Sequence, residues 1–216
     1  MNRVLYKLRF PYKFAKAFDH REDMVSPEQV ANFALLIEDL FDREVPGDFV
    51  ELGCYTGSTA VVFGSLIKAR EPSRKLHVYD RFDLELGSAR DIRSIFDEHM
   101  RTYKVPDPVV HAGDLFDTVP TELPDTIAFA HVDLGIGGSV DDHAGLIKHG
   151  LQGVYPRMAR GGLIVLMDYH IPGVTVSGND TNPGVRKASD AFFADKPEEI
   201  RLLAGGACSH AYVRKA

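Results

Sequence analysis

Cysteine is scarce in this chain, with only two among 216 residues. Cys54 and Cys208 lie far apart and form no C-x-x-C pair, so the sequence predicts neither a disulfide framework nor a thiolate zinc site. A reducing compartment is the simplest interpretation, and we expect a cytoplasmic protein.

Long apolar runs are also missing. Stretches such as residues 59–63 end well before the length that a membrane-spanning helix needs. The first residues contain no compact apolar run with a small-residue cleavage site, because Lys7, Arg9 and Lys13 interrupt their aromatic side chains. We therefore expect neither a membrane span nor a secretion signal.

Basic residues are in the minority, with 25 against 31 acidic ones and a net charge of −6. This balance disfavours nucleic-acid binding and favours a small-molecule partner. Residues 1–25 are the exception, since basic and aromatic side chains alternate there. Either this segment is an arm that packs on the domain or on another subunit of a homo-oligomer, or it forms a lid or an acidic-ligand site. Residues 26–216 are predicted to form one domain.

From residue 26 onward the pattern predicts alternating helices and strands. Ser26, Pro27 and Gln29 combine a capping box with a proline in the first turn, which predicts a helix over residues 26–43. Short apolar runs then alternate with longer amphipathic ones, as expected of parallel strands covered by helices. The predicted strands are 48–52, 75–80, 108–112, 127–133 and 162–168. The predicted helices are 57–70, 88–103, 139–159 and 184–195.

The last part of the chain predicts an antiparallel hairpin, because two strand-like runs at 200–203 and 211–213 flank a pair of glycines. The predicted fold is therefore α/β and doubly wound, with a mostly parallel seven-stranded sheet. This order is typical of class I methyltransferases, whereas a dinucleotide-binding fold would more often end in another βα unit. The loop 171–183 is either a binding segment or a surface loop.

The segment that follows the first predicted strand has the features of a ligand-binding turn. Glycines permit a tight turn and close backbone approach, and the next helix directs amide donors back toward a ligand. A structural turn would explain the glycines as well. The acidic residue two places before the first glycine favours a ligand with an ammonium group, as in S-adenosylmethionine, over the pyrophosphate of NAD, and no G-x-G-x-x-G is present. The expected cofactor contacts here are Glu51, Gly53, Cys54, Tyr55, Gly57 and Ser58.

Two further strand ends carry candidate cofactor contacts. Asp80, with Arg81 beside it, ends the second strand and can accept hydrogen bonds from both ribose hydroxyls, or else cap the next turn. Asp114, followed by Leu115, either reads the exocyclic amine of adenine or is a helix N-cap.

Asp133 ends the fourth predicted strand, and Asp168 and His170 lie at the end of the fifth. The carboxyl ends of parallel strands meet at one edge of a sheet, so we expect the three side chains to converge beside the transferred methyl group. Asp133, which is also a candidate cofactor contact, is the first choice for proton acceptor or cation ligand, and His170 is the second.

Several short motifs carry a resemblance to a known family. They are Pro46-Gly47-Asp48-Phe49-Val50-Glu51-Leu52-Gly53, Tyr79-Asp80-Arg81-Phe82, Phe116-Asp117-Thr118-Val119-Pro120, Ile127-Ala128-Phe129-Ala130-His131-Val132-Asp133, Val154-Tyr155-Pro156-Arg157 and Gly161-Gly162-Leu163-Ile164-Val165. In these the chain resembles the macrocin O-methyltransferase family from about residue 45 to residue 194. The resemblance implies that Glu51, Gly53, Gly57 and Asp80 contact S-adenosylmethionine. It also implies that Asp133 and Asp168 hold a divalent cation and help to deprotonate a hydroxyl.

Two departures from the family pattern concern the cation. Family members usually have paired acidic residues at the end of the fifth strand, where this chain has Met167 before Asp168. After Asp133 they usually continue with acidic residues and a tyrosine, where this chain has Leu134-Gly135-Ile136-Gly137-Gly138. Mg²⁺ prefers oxygen ligands to a thioether, so cation dependence is in question. His170, His143 and Asp142 could supply replacement ligands or a metal-free base.

The sequence thus predicts an S-adenosylmethionine-dependent O-methyltransferase for a small hydroxylated metabolite or natural product. One alternative keeps the cofactor and changes the acceptor to nitrogen or carbon, or transfers another alkyl group. A second alternative is a non-catalytic nucleotide-binding regulatory module, and a nicotinamide-dependent enzyme is a remote third.

Overall fold

The computed structural model describes residues 4, 7–9, 25–83, 91–135, 138–175, 180, 182–204 and 209–216. Most of the predicted arm, residues 1–25, lies outside the described residues, so the division into an arm and a domain stays a prediction. The described helices from residue 25 onward are α1 (Pro27–Asp42), α2 (Ser58–Arg70), α3 (Ile92–Tyr103), α4 (Leu115–Glu122), α5 (Val140–Val154) and α6 (Pro183–Phe193). The described strands are β1 (Asp48–Leu52), β2 (Leu76–Asp80), β3 (Val109–Ala112), β4 (Ile127–Val132), β5 (Met158–Met167), β6 (Arg201–Leu203) and β7 (His210–Arg214).

The strands form one seven-stranded sheet in the order β3-β2-β1-β4-β5-β7-β6. All pairs from β3 to β5 are parallel, whereas β7 runs antiparallel to both β5 and β6. The predicted fold class, including the terminal hairpin, is confirmed. The order reverses between β1 and β4, which places the switch point of the sheet at the ends of these two strands.

Helices cover both faces of the sheet and create two apolar clusters. One cluster joins buried side chains of α1, α2 and α3 to the sheet, and the other joins those of α4, α5 and α6 to it. Between β1, β4 and α2 the rings of Phe49, Phe63 and Phe129 meet with centroid distances of 5.0 and 5.2 Å. None of the described helices is long and apolar enough to cross a membrane.

The sequence pattern accounts for α1 in detail. The Ser26 hydroxyl accepts the backbone N–H of Gln29 at 3.2 Å, and the Gln29 side chain accepts the backbone N–H of Ser26 at 2.8 Å. This reciprocal capping fixes the start of the helix. Phe33, Ile37 and Leu40 then lie fully buried at helical spacing, so α1 packs its apolar face on the sheet.

One unpredicted helix and two boundaries are the main differences from the sequence prediction. The sequence did not predict α4, a short helix that Asp114 caps and that contains Pro120. The helix predicted over 139–159 ends at Val154 and continues as a 3₁₀ turn, Tyr155–Arg157. Strand β5 begins at Met158, four residues earlier than predicted. The prediction began the strand too late because the Arg160-Gly161-Gly162 segment lacks an apolar pattern. Residues 88–90 of the helix predicted over 88–103 lie outside the described residues.

The packing of α1 yields a matched pair of substitutions. Leu40 is fully buried, whereas Leu35 on the same helix is 71% exposed. Leu40→Ala should lower the free energy of unfolding by about 2–5 kcal/mol, because it removes buried methyl groups and leaves a cavity. Leu35→Ala should change it by no more than about 0.5 kcal/mol. Urea denaturation measures both, and equal losses for the two variants would refute this assignment of the buried face.

Candidate functional site

A cavity of about 340 Å³ opens at the carboxyl ends of β1, β2 and β4, beside the switch point. Open parallel sheets bind their ligands at this location. The predicted residues that line it are Gly53, Cys54, Tyr55, Ser58, Asp80, Arg81, Asp114, Leu115 and Asp133. The predicted residues Glu51, Gly57, Asp168 and His170 are not among the lining residues.

The turn between β1 and α2 requires glycine at two positions. Gly53 has a φ of +82°, and a Cβ there would lie 1.9 Å from the carbonyl oxygen of Asp133. Gly57 has a φ of +85°, and a Cβ there would lie 2.6 Å from the ring of Phe96. Any other residue at either position would be strained and would displace its neighbours. The glycines thus allow the turn to lie between β4 and α3.

Asp80 holds this turn in place. Its Oδ2 accepts the backbone N–H groups of Cys54 at 2.9 Å and Tyr55 at 2.8 Å, and its Oδ1 accepts that of Phe82 at 2.7 Å. Carboxylate oxygens have about four lone-pair sites in all, so the side chain keeps capacity for further donors. Since Asp80 also lines the cavity, it can organise the turn and contact a ligand.

Glu51 is a fully buried carboxylate at the end of β1. Its Oε1 accepts the Thr59 hydroxyl, and the Nδ1 of His131 lies 3.1 Å from the same oxygen. Its Oε2 is buried and has no hydrogen-bond partner among the described residues. An unsatisfied buried carboxylate oxygen is costly, and an ammonium donor would offset that cost. Thr59 lines the cavity, so Glu51 lies directly behind the cavity wall.

Asp114 is the N-cap of α4, with its Oδ1 accepting the backbone N–H of Phe116 at 2.9 Å. The capping interpretation of this residue is therefore confirmed, while its contact with adenine stays a prediction. Arg81 is largely exposed and pairs with Asp83 at 2.6 Å.

The half-exposed ring of Phe116 lines the cavity and packs on His149, with the two ring centroids 4.4 Å apart. The sequence motifs include Phe116 but did not predict a ligand contact for it, because it lies in a helix that was not predicted.

Asp133 and Asp168 are both carboxylates with raised pKa values. Withdrawal from solvent, and secondly the neighbouring Asp168, raise the pKa of Asp133 to about 7, while His131 acts in the opposite direction. Burial also raises the pKa of Asp168. A hydrogen bond from Asn182 and the nearby His143 lower this pKa, but they do not cancel the effect of burial. Asp168 directly follows β5 and has a φ of +56°, a left-handed conformation that aspartate tolerates better than most residues. Asp168 is thus close enough to Asp133 to influence its pKa, while the convergence of both carboxylates with His170 beside a methyl group stays a prediction.

The histidines at the site differ in access to the cavity. His170 is buried, and its Nδ1 lies within hydrogen-bonding distance of the Thr175 hydroxyl and 3.1 Å from that of Ser209. His143 lines the cavity, and its Nε2 lies 3.0 Å from the carbonyl oxygen of Leu134. A carbonyl only accepts, so this nitrogen of His143 carries the hydrogen. The catalytic role predicted for His170 stays a prediction.

Met167 is buried within the apolar cluster under α1 and α2. No group of three or more histidine, cysteine, aspartate or glutamate side chains that could hold a metal ion occurs in the described part of the chain. Asp133 and Asp168, the predicted metal ligands, therefore lack a third such residue among those described.

The fold resembles those of solved methyltransferases. The solved structure of the O-methyltransferase NovP matches with a TM-score of 0.72 at 21% identity, over 90% of this chain and 82% of that one. A solved structure of the methyltransferase PaMTH1 from Podospora anserina, bound to SAH, matches with a TM-score of 0.60 at 19% identity, over 86% of this chain and 78% of that one. The sheet is that of the class I methyltransferase fold.

The family description of the macrocin O-methyltransferases (TylF) matches residues 19–111, which confirms the resemblance that the sequence motifs indicate. A curated relative, demethyldecarbamoylnovobiocin O-methyltransferase of Streptomyces niveus, is 24% identical over 168 residues. That alignment covers 68% of this chain and 62% of the relative, so the chain spans less than two thirds of the relative's length.

Proposed function

We propose that the protein is an S-adenosylmethionine-dependent O-methyltransferase that acts on a hydroxyl of a small metabolite or natural product. The observation that carries the proposal is the switch-point cavity, where Asp80 and the Gly53 turn form the wall and the unsatisfied Oε2 of Glu51 lies behind it. The family match and the O-methyltransferase relative support the same reaction. A cytoplasmic, homo-oligomeric protein without nucleic-acid or membrane partners is part of the proposal.

The donor set fits this cofactor group by group. Asp80 would accept hydrogen bonds from the ribose hydroxyls, and Glu51 would accept them from the ammonium group directly or through water. The face of the Phe116 ring would contact the adenine base. When bound, the cofactor supplies a methyl group activated by an adjacent sulfonium. A carboxylate behind the wall suits this cation-bearing ligand and would repel a pyrophosphate.

Asp133 is the residue best suited to remove the hydroxyl proton. It lines the cavity, and burial raises its pKa to about 7. A base with a pKa near the working pH combines a substantial ionised fraction with adequate basicity. The apolar side chains of Leu115, Leu134 and Leu146 line the same cavity and would keep water from the reacting oxygen.

The same cavity would serve two other functions that the test must separate. An N- or C-methyltransferase, or an enzyme that transfers another alkyl group, would bind the cofactor in the same way. A regulatory module would bind it without turnover. Activity across a panel of sugars, phenols, amines and carbon acids discriminates among these functions, and methylation of hydroxyl compounds alone is the result that we expect.

Cofactor binding tests the role of Asp80. Asp80→Asn should weaken the binding of S-adenosylhomocysteine by about 1–3 kcal/mol, because an amide cannot replace the charged acceptor toward both the turn and the ribose. Asp117→Asn, the same change at an exposed position of α4, should leave the affinity unchanged. Isothermal calorimetry measures both variants. Undetectable binding by the folded native protein at millimolar ligand, or a preference for NAD, would contradict the proposed function.

The pH dependence of turnover tests the role of Asp133. The base must be ionised, so kcat/KM should rise with pH and level off above the pKa of about 7. Asp133→Asn should lower turnover roughly 10²–10⁴-fold and abolish this step. If His170→Ala has these effects and Asp133→Asn does not, proton removal belongs to His170.

A further inference from the structure

The end of β5 is tied to the start of α6 by one side-chain hydrogen bond. The amide nitrogen Nδ2 of Asn182 donates to the Oδ2 of Asp168 at 2.7 Å. Asn182 lies 14 residues further along the chain, immediately before α6. The bond therefore fixes the carboxylate of Asp168 from a separate element of the fold.

Asn182 makes this bond instead of capping its own helix. It occupies the N-cap position of α6, where an asparagine side chain ordinarily accepts a backbone N–H of the first turn. Here the side chain makes no capping hydrogen bond. The amide of Asn182 therefore bonds to Asp168 in place of the capping hydrogen bond that would stabilise its own helix.

Two glycines provide the space that this arrangement needs. A Cβ at Gly135 would lie 2.7 Å from the Nδ2 of Asn182 and 2.9 Å from the Oδ2 of Asp168. A Cβ at Gly184 would lie 2.9 Å from the backbone nitrogen of Ala144, so this glycine brings the first turn of α6 against α5. Gly135 is one of the residues that depart from the family pattern after Asp133. A side chain there would collide with the hydrogen-bonded Asn182 and Asp168.

The same residues do not fit a divalent cation. Mg²⁺ and Mn²⁺ need several oxygen ligands. Where family members usually have the first of two acidic residues at the end of the fifth strand, this chain has Met167, which is buried in the apolar cluster under α1 and α2. One oxygen of Asp168 already accepts a hydrogen bond from the amide nitrogen of Asn182, and that nitrogen is a donor that cannot ligate a cation. Asp133 and Asp168 are the acidic residues left at the two strand ends.

We propose that Asn182 is a positioning residue that takes the place of the family cation, so that methyl transfer by this protein needs no metal ion. Its amide holds the carboxylate of Asp168 in a fixed orientation beside Asp133, which a bridging cation would otherwise do. The proposal rests on the proposed function, because it concerns the neighbour of Asp133, the proposed base.

The test is a titration of the full chain with Mn²⁺ in the presence of saturating S-adenosylhomocysteine, with free Mn²⁺ followed by electron paramagnetic resonance. Native protein and Asp168→Asn should bind Mn²⁺ equally weakly. Asn182→Asp should bind it at least about tenfold more tightly, because a third carboxylate completes an oxygen donor set. Gln152→Glu, the same amide-to-acid change at an exposed position of α5, should bind like the native protein.

Turnover provides the second readout. Native turnover should be unchanged by EDTA, and Asn182→Ala should lower kcat roughly tenfold without changing the affinity for S-adenosylhomocysteine or gaining activity from Mg²⁺. Saturable binding of one Mn²⁺ by the native protein that is lost in Asp168→Asn would overturn the inference, even if Asn182→Asp failed to fold. Failure of the native protein to bind S-adenosylhomocysteine would instead count against the proposed function, and the same Mn²⁺ titration without that ligand would then still test the inference.

Discussion

The backbone contact between Gly53 and Asp133 sets the geometry on which the rest of the site depends. The strands β1 and β4 end side by side here, and the backbone N–H of Asp133 donates to the carbonyl of Leu52 at 2.9 Å. The two chains then leave toward opposite faces of the sheet, so a cavity opens between them. A Cβ at residue 53 would lie 1.9 Å from the carbonyl oxygen of Asp133 and would force these turns apart. The cavity therefore exists in this form only with glycine at residue 53.

Around this contact, three carboxylates at strand ends have environments that suit different tasks. Asp80 accepts three backbone amides and so acts as part of the frame. Glu51 is buried with one oxygen satisfied and the other without a partner among the described residues, which suits recognition of a positively charged group. Asp133 has a pKa raised to about 7, which suits proton transfer at neutral pH. Burial and hydrogen bonding, rather than residue type, assign these roles.

The sequence predicted the parts of the fold that local patterns encode. Capping at Ser26, the apolar strands and the residues at their ends are local signals, and the carboxyl ends of parallel strands necessarily share an edge. Helix α4 was missed because it is short and contains Pro120, which obscures a helical pattern. The hydrogen bond from Asn182 to Asp168 could not be predicted, because it joins elements whose contact depends on tertiary packing at Gly135 and Gly184. From the sequence alone, Asn182 has the residue type and position of an ordinary helix N-cap.

A crystal structure of the protein with S-adenosylhomocysteine tests the central claim most directly. If the switch-point cavity is the cofactor site, the ribose hydroxyls will lie within hydrogen-bonding distance of the Asp80 carboxylate. The amino group of the ligand will then be linked to Glu51 directly or through water, and the sulfur will lie on the Asp133 side of the cavity. A ligand bound elsewhere on the chain, or bound in this cavity without contact to Asp80, would contradict the account.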